Sequence, residues 1–161
     1  MYLYHLNIGS NIGDSRSVME RAVAALSGLS VSPVRRSDII ESDPWGFESP
    51  HRFFNMGADI TSLLPPEELL EETRRIERTI SPASHRNPDG TYRDRLIDID
   101  IIFCAELLPG AAASCGFSSM HLLRVNTPAL TLPHPHAAAR PFVTTPLLQL
   151  HPDFPLSSLT H

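Results

Sequence analysis

The chain has 161 residues, 42% hydrophobic and 19% charged, with a formal net charge of −5, enough for one substantial core and too few for two ordinary domains. No apolar run approaches the roughly 20 residues a membrane helix needs, and the acidic balance argues against broad electrostatic binding to nucleic acid. Met1 to Leu6 carries neither a basic leader nor a small-residue cleavage site, and Cys104 and Cys115 match no zinc or Cys-x-x-Cys spacing. The expectation is therefore one domain over residues 1–161, in the cytoplasm, with both cysteines as plain thiols.

In chain order, Tyr2 to Ile8 reads as a strand, and Gly9 to Asp14 as a turn into a helix that Asp14 or Ser15 would cap. Val18, Ala22, Val23 and Leu26 give that helix an apolar stripe, and Gly28 would end it. Val31 to Ser42 is β-prone, and Arg52 to Leu63 alternates with Phe54, Met56, Ala58 and Ile60 on one face, so the two segments predict a hairpin. Pro65-Pro66-Glu67-Glu68 opens a second helix, because Pro suits the first turn and acidic groups suit its positive end. Leu69, Leu70, Thr73 and Ile76 supply its buried stripe, and it should end near Ile80. Ser81 to Asp94 is rich in Pro, Ser, Asn, Gly and Arg and predicts a long mobile loop, of the kind that is usually functional or disordered. The last predicted element is an Ile-rich strand, and the order β-α-β-β-α-β matches an α+β, ferredoxin-like plan of helices on a mainly antiparallel sheet.

That last strand, Arg95-Leu96-Ile97-Asp98-Ile99-Asp100-Ile101-Ile102-Phe103, carries two carboxylates two residues apart. Side chains alternate along a strand, so Asp98 and Asp100 share one face while Ile97, Ile99 and Ile101 share the other. Burying two anions together is costly unless a cation lies between them, and a hard divalent ion with oxygen ligands answers that need. Magnesium is the first candidate; a solvated or Arg-paired edge strand is the bland one.

Six blocks occur in one order: Leu6-Asn7-Ile8-Gly9-Ser10-Asn11-Ile12-Gly13-Asp14, Pro44-Trp45-Gly46-Phe47, Phe53-Phe54-Asn55, Pro66 to Leu70 with Ile76-Glu77, Arg95 to Asp100, and Leu132-Pro133-His134-Pro135-His136 with Arg140-Pro141-Phe142. In that order, from Leu6 to about Pro155, the chain resembles the 6-hydroxymethyl-7,8-dihydropterin pyrophosphokinase family of folate biosynthesis. The resemblance implies transfer of pyrophosphate from ATP to the hydroxymethyl group of a reduced pterin, with AMP released. Such a transfer asks for in-line positioning and for cations around the developing charge. Asp98 and Asp100 would then hold two magnesium ions.

The resemblance also implies roles residue by residue. Asn55 would bind the pterin edge, since an amide offers both a donor and an acceptor, and Phe53 and Phe142 would sandwich the ring, with core packing as the alternative for Phe142. Ser42, Asp43 and Trp45 match a segment whose backbone binds the pterin. Glu77 resembles a residue near the nucleotide, with a solvated helix face as its alternative. His134, Arg140 and Arg95 match phosphate-contacting positions, Ile101 and Thr131 belong to the implied ATP-binding set, and His136 should face solvent. Pro-His-Pro-His offers only two imidazoles and no third ligand nearby, so a zinc reading is discounted.

Two departures stand out. The family's Gly-Arg-x-Arg segment after Ile76-Glu77 is replaced by Ile80-Ser81-Pro82-Ala83-Ser84, so Arg86, or else Arg93, would take over the missing catalytic arginine, with Tyr92 as the loop aromatic over the pterin. The stretch from Cys104 to Asn126 is a longer connection than usual and reads as a flexible excursion or a contact with another chain. The implied partners are two small-molecule substrates, with no nucleic acid and no membrane, in a monomer or weak homo-oligomer. An inactive pterin- or nucleotide-binding module and a metal-dependent phosphohydrolase are the other readings carried.

Overall fold

The computed structural model of the chain describes residues 1–81, 87–91, 93–112 and 116–160. Strand β1 (Tyr2–Ser10) leads through a turn to helix α1 (Ser15–Ser27), followed by short strands β2 (Arg35–Arg36) and β3 (Ile40–Ser42). Strand β4 (Phe53–Ser62), helix α2 (Pro66–Ile80) and strand β5 (Asp98–Leu107) come next. The remaining elements are β6 (Met120–Leu122), β7 (Val125–Asn126), β8 (Thr131–Leu132) and helix α3 (Pro141–Leu150). No helix among the described residues is long and apolar enough to cross a membrane.

The local rules act where the sequence placed them. Asp14 caps α1 by accepting from the Ser17 amide, and Gly28 closes the helix. Pro66 stands in the first turn of α2 beside Glu67 and Glu68, and Leu69, Thr73, Ile76 and Ile80 are its buried stripe. The antiparallel sheet runs β2-β4-β1-β5-β6, with β3 also paired to β4. Counting β2 and β3 as one interrupted strand, this is the ferredoxin-like order with one added edge strand. The segment from Val31 to Ser42 breaks in two, and β1 runs two residues further than its apolar pattern suggested, because Gly9 and Ser10 pair with Asn55 and Phe54.

The two faces of the sheet differ. Leu6, Ile8, Met56, Ala58, Ile60, Ile99 and Ile101 face α1 and α2 in one core. Leu3, Ile102, Phe103, Val143 and Leu147 form a second core on the opposite face, under α3. A bulge makes this possible: His5 pairs with Phe103 and Leu6 with Ile101, so Ile102 is the extra residue that lets both Ile102 and Phe103 turn to the second core. Helix α3 lies on that second face, so helices cover both sides of the sheet and not one side alone as the β-α-β-β-α-β order predicts.

The stretch from Cys104 to Asn126 is, in its described part, an extension of the sheet. β5 continues to Leu107 and β6 returns to pair with it, while Phe117 packs against Phe154 at 5.0 Å between ring centroids. Cys104 is a buried thiol, pushed by burial up to about 12, and Cys115 lies outside the described residues.

Candidate active site

The second face of the sheet carries a row of polar residues because β1, β4 and β5 are in register there. Asp98 pairs with Gly9 and Gly9 with Asn55; one row deeper, Asp100 pairs with Asn7 and Asn7 with Gly57. The even-spaced carboxylates therefore share the face with Asn7 and Asn55. A cavity of about 340 Å³ opens over these rows. Phe53, Asn55, Asp98 and Asp100 line its sheet side, and Arg140 and Phe142 from the start of α3 line it from above, together with Arg95. Ser42, Asp43, Trp45 and Phe47 close its outer end.

Inside this cavity Asn55 donates from Nδ2 to Ser42 Oγ at 2.7 Å, which orients the amide. Phe47 stands edge-on to Phe53 at 6.1 Å, and Trp45 stands edge-on to Phe142 at the same separation. The Arg140 guanidinium lies 5.5 Å from the Trp45 ring and the Arg95 guanidinium 5.6 Å from Phe53. Two cations thus border a pocket with flat apolar walls. Trp45 is largely exposed, and Asp43 reaches outward to Arg52 at 3.5 Å.

A second cavity, also of about 340 Å³, lies between the C-terminal half of α2 and the β7–β8 hairpin. Glu77, Ile101 and Thr131 line it. The two cavities share three residues, Asp98, Asp100 and His134. Of the residues assigned to ATP from the sequence, Glu77, Ile101 and Thr131 belong to this second cavity alone, while Arg95 and Arg140 border the first.

The electrostatics concentrate at the shared wall. Arg95 donates from Nη1 to Asp98 Oδ2 at 2.7 Å. Burial, then the neighbouring Asp98 charge, pushes the Asp100 carboxyl up to about 7, against the pull of Arg140 and Arg95. Glu77 accepts from the Ile99 amide at 2.6 Å and is pushed up to about 8, first by burial and then by Asp98. The helix residue is thus turned into the sheet, not out to solvent. His134 is held down at about 4 by burial and by Arg140, so its imidazole is neutral near pH 7. Its Nδ1 accepts from the His136 amide at 3.2 Å, which leaves the ring proton on Nε2 as a donor. His136 itself is exposed.

Two residues with clear places at the site were not singled out in the sequence. Asn11 donates from Nδ2 to Asp94 at 2.7 Å and accepts the Arg95 amide at 2.8 Å, which fixes the backbone entering the acidic strand. Asn7 lines the first cavity, and its Oδ1 is buried with no hydrogen-bond partner among the described residues. Their signal was present, since Asn7 is a polar residue at alternate spacing inside an apolar strand. Arg86 and Tyr92 lie outside the described residues; Arg93 is exposed, and between them Asn87 to Thr91 forms a tight turn.

Similarity to known proteins places the chain in a family. A 2-amino-4-hydroxy-6-hydroxymethyldihydropteridine pyrophosphokinase of Porphyromonas gingivalis is 36% identical over 163 residues, covering 99% of this chain and 100% of that protein. The Bacillus subtilis protein of the same name is 31% identical over 91% of this chain and 76% of its own length. Among solved structures, a crystal structure of HPPK-DHPS in complex with substrates shares the fold at a TM-score of 0.59 and 14% identity, covering 98% of this chain and 41% of that one. Residues 5–152 match the profile of 7,8-dihydro-6-hydroxymethylpterin-pyrophosphokinase, and the chain belongs to that family.

Proposed function

We propose that the chain transfers the β,γ-pyrophosphate of ATP to the hydroxymethyl group of 6-hydroxymethyl-7,8-dihydropterin, giving the pterin diphosphate and AMP, at the wall where its two cavities meet. Family membership carries the reaction class, and the observation that carries the site is the pair of cavities that share Asp98, Asp100 and His134 among the described residues. The first cavity suits a flat heterocycle, with Phe53 and Phe142 as walls and the Asn55 amide at the edge. The second suits the nucleotide, with Ile101 and Thr131 beside it. The hydroxymethyl oxygen and the β-phosphorus then meet at the shared wall, which gives the proximity the transfer needs.

Asp98 and Asp100 fit a hard divalent cation, because they offer oxygen donors on one strand face and line the wall of both cavities, where burial first and the Asp98 charge second work against an ionised Asp100. Two magnesium ions held there would supply charge neutralisation at the phosphates and acidify the attacking hydroxyl. Arg95 and Arg140 reach phosphate oxygens with charge-assisted hydrogen bonds, and neutral His134 adds an Nε2–H donor. The hydroxyl oxygen gives up its proton to water and forms the new bond to the β-phosphorus as the bond to the α,β-bridging oxygen breaks, that oxygen leaving on AMP, with no covalent enzyme intermediate. Asp98→Ala and Asp100→Ala are each expected to reduce pterin-dependent AMP formation by at least a hundredfold while the far-ultraviolet circular dichroism stays unchanged, on the order of removing a principal electrostatic group. Near wild-type turnover in either variant, or AMP release that does not need the pterin, would contradict the assignment.

A further inference from the structure

The deeper polar row of the sheet holds a group that the reaction as described does not use. Asn7 stands between Asp100 on β5 and Gly57 on β4. Cross-strand partners in such a row are near neighbours with side chains on the same face, so the Asn7 carboxamide lies beside the Asp100 carboxylate with only a glycine on its other flank. Asn7 is 4% exposed, lines the first cavity, and keeps its Oδ1 buried without a hydrogen-bond partner among the described residues. An unpaired buried acceptor costs free energy, and Leu6 and Ile8 on either side of it in sequence turn to the opposite core, so the strand's apolar packing does not call for a carboxamide at this position. What the carboxamide oxygen lacks is a donor or a cation that arrives with the ligands.

We infer that Asn7 is a third oxygen donor, with Asp98 and Asp100, to the divalent cation site, binding the ion nearer the cavity floor through Oδ1. This rests on the cation site assigned above. Hard cations take six or more oxygen ligands, two carboxylates supply only part of that set, and a neutral carboxamide adds a ligand without adding a third negative charge to a buried wall. A ring N–H of the pterin is the competing partner for the same oxygen.

The two are separated by titrating Mn2+ into the full-length enzyme holding a non-hydrolysable ATP analogue, with bound ion read by electron paramagnetic resonance, alongside calorimetric titration of the pterin. Asn7→Ala is expected to weaken Mn2+ binding about tenfold, as loss of a ligand or its immediate support does, and to leave pterin affinity within about twofold. The isosteric Asn7→Asp keeps the oxygen and adds charge, so it is expected to hold Mn2+ at least as tightly as the wild type. Equal Mn2+ affinity in wild type and Asn7→Ala overturns the inference, as does a loss confined to pterin affinity or a weakening in Asn7→Asp as large as in Asn7→Ala. Asp100→Ala is the control: if it too binds Mn2+ like the wild type, the cation site itself is misassigned, and not only the part played by Asn7.

Discussion

Glu77 is a carboxyl whose environment works against its charge. Its pKa is pushed up to about 8 and that of Asp100 to about 7, both chiefly by burial, whereas an unfolded chain ionises such groups near pH 4. Between about pH 4 and about pH 8 the folded protein therefore holds protons that the unfolded chain has released, and stability falls as pH rises through that window. Asp59 has the opposite sign. Burial raises its pKa, but contacts with His151 and His5 outweigh this and hold it at about 2, so its contribution is lost only as pH falls from about 4 toward 2. The ligand-free protein is expected to melt at a higher temperature at pH 5 than at pH 8, with a smaller difference in Glu77→Gln; an unchanged difference would mean that this carboxyl does not carry the dependence.

At the same scale, the arginine absent from the 81–84 stretch leaves Arg86 and Arg93 to be compared. We propose Arg86 as the stand-in that meets the developing charge of the transfer. A contact made only in the transition state lowers kcat, whereas a ground-state contact raises KM. Arg86→Ala is expected to reduce kcat about tenfold or more with ATP KM nearly unchanged, in parallel with a mild effect of Arg93→Ala. Normal kcat values in both would leave neither arginine in the role.

Helix α3 shows how one element ties the site to the rest of the sheet. Its first residues bring Arg140 and Phe142 to the first cavity, and its far end is fastened to β4. Arg35 donates from Nη2 to the Leu150 carbonyl at 2.8 Å and from Nη1 to Asp59 at 3.2 Å. His5 Nδ1 and His151 Nε2 approach the same carboxylate at 2.7 and 2.9 Å, although the His151 contact lies off the hydrogen-bond direction. Two histidines and an aspartate this close resemble a metal constellation, but Arg35 already supplies the positive charge that Asp59 needs. Midway along, Pro146 lies over Gly57, where a Cβ would come within 3.0 Å of the Pro146 Cβ and 2.9 Å of His5 Cε1. Glycine is required there by close approach of the helix.

Removing the Asp59 carboxylate would leave the two buried imidazoles of His5 and His151 without the anion they face. Breaking a buried pair on one side costs about 3–5 kcal/mol. Asp59→Ala is expected to lose stability on that scale in urea melts, and to raise the pterin KM as the helix bearing Phe142 shifts. A variant that is destabilised yet binds pterin normally would show that the anchor does not reach the site.

Over the whole molecule, the first cavity opens on the second face of the sheet, while the second cavity opens beside α2 at the edge of the core that α1 and α2 share with the first face. The two cavities are lined by different elements and share only a few residues, so damage to one is expected to leave the other nearly intact. Asn55→Ala removes the amide at the outer row of the first cavity. It is expected to weaken pterin binding by roughly tenfold, the scale of one or two hydrogen bonds to a buried ligand, and to leave the affinity for a non-hydrolysable ATP analogue within about twofold. Equal losses for both ligands by calorimetry would mean that the two cavities do not divide the substrates in this way.

Local chemistry was legible in the sequence wherever neighbours along the chain decide it. The Asp14 cap, the Gly28 stop, the Pro66 start and the shared face of Asp98 and Asp100 depend on spacings of a few residues, and six ordered blocks were enough to name the family. Other features depended on strands distant in sequence coming into register. The bulge at Ile102, which turns two consecutive residues into the second core, arises from the pairing of β5 with β1. The same pairing sets Asn7 beside Asp100, and the turning of Glu77 toward the Ile99 amide follows from how α2 lies on β5. Helix α3 owes its place to buried contacts with a face of the sheet that no local pattern in residues 141–150 could identify. Residue types and short-range periodicity gave the catalytic alphabet, and tertiary packing decided which of those letters stand within reach of one another.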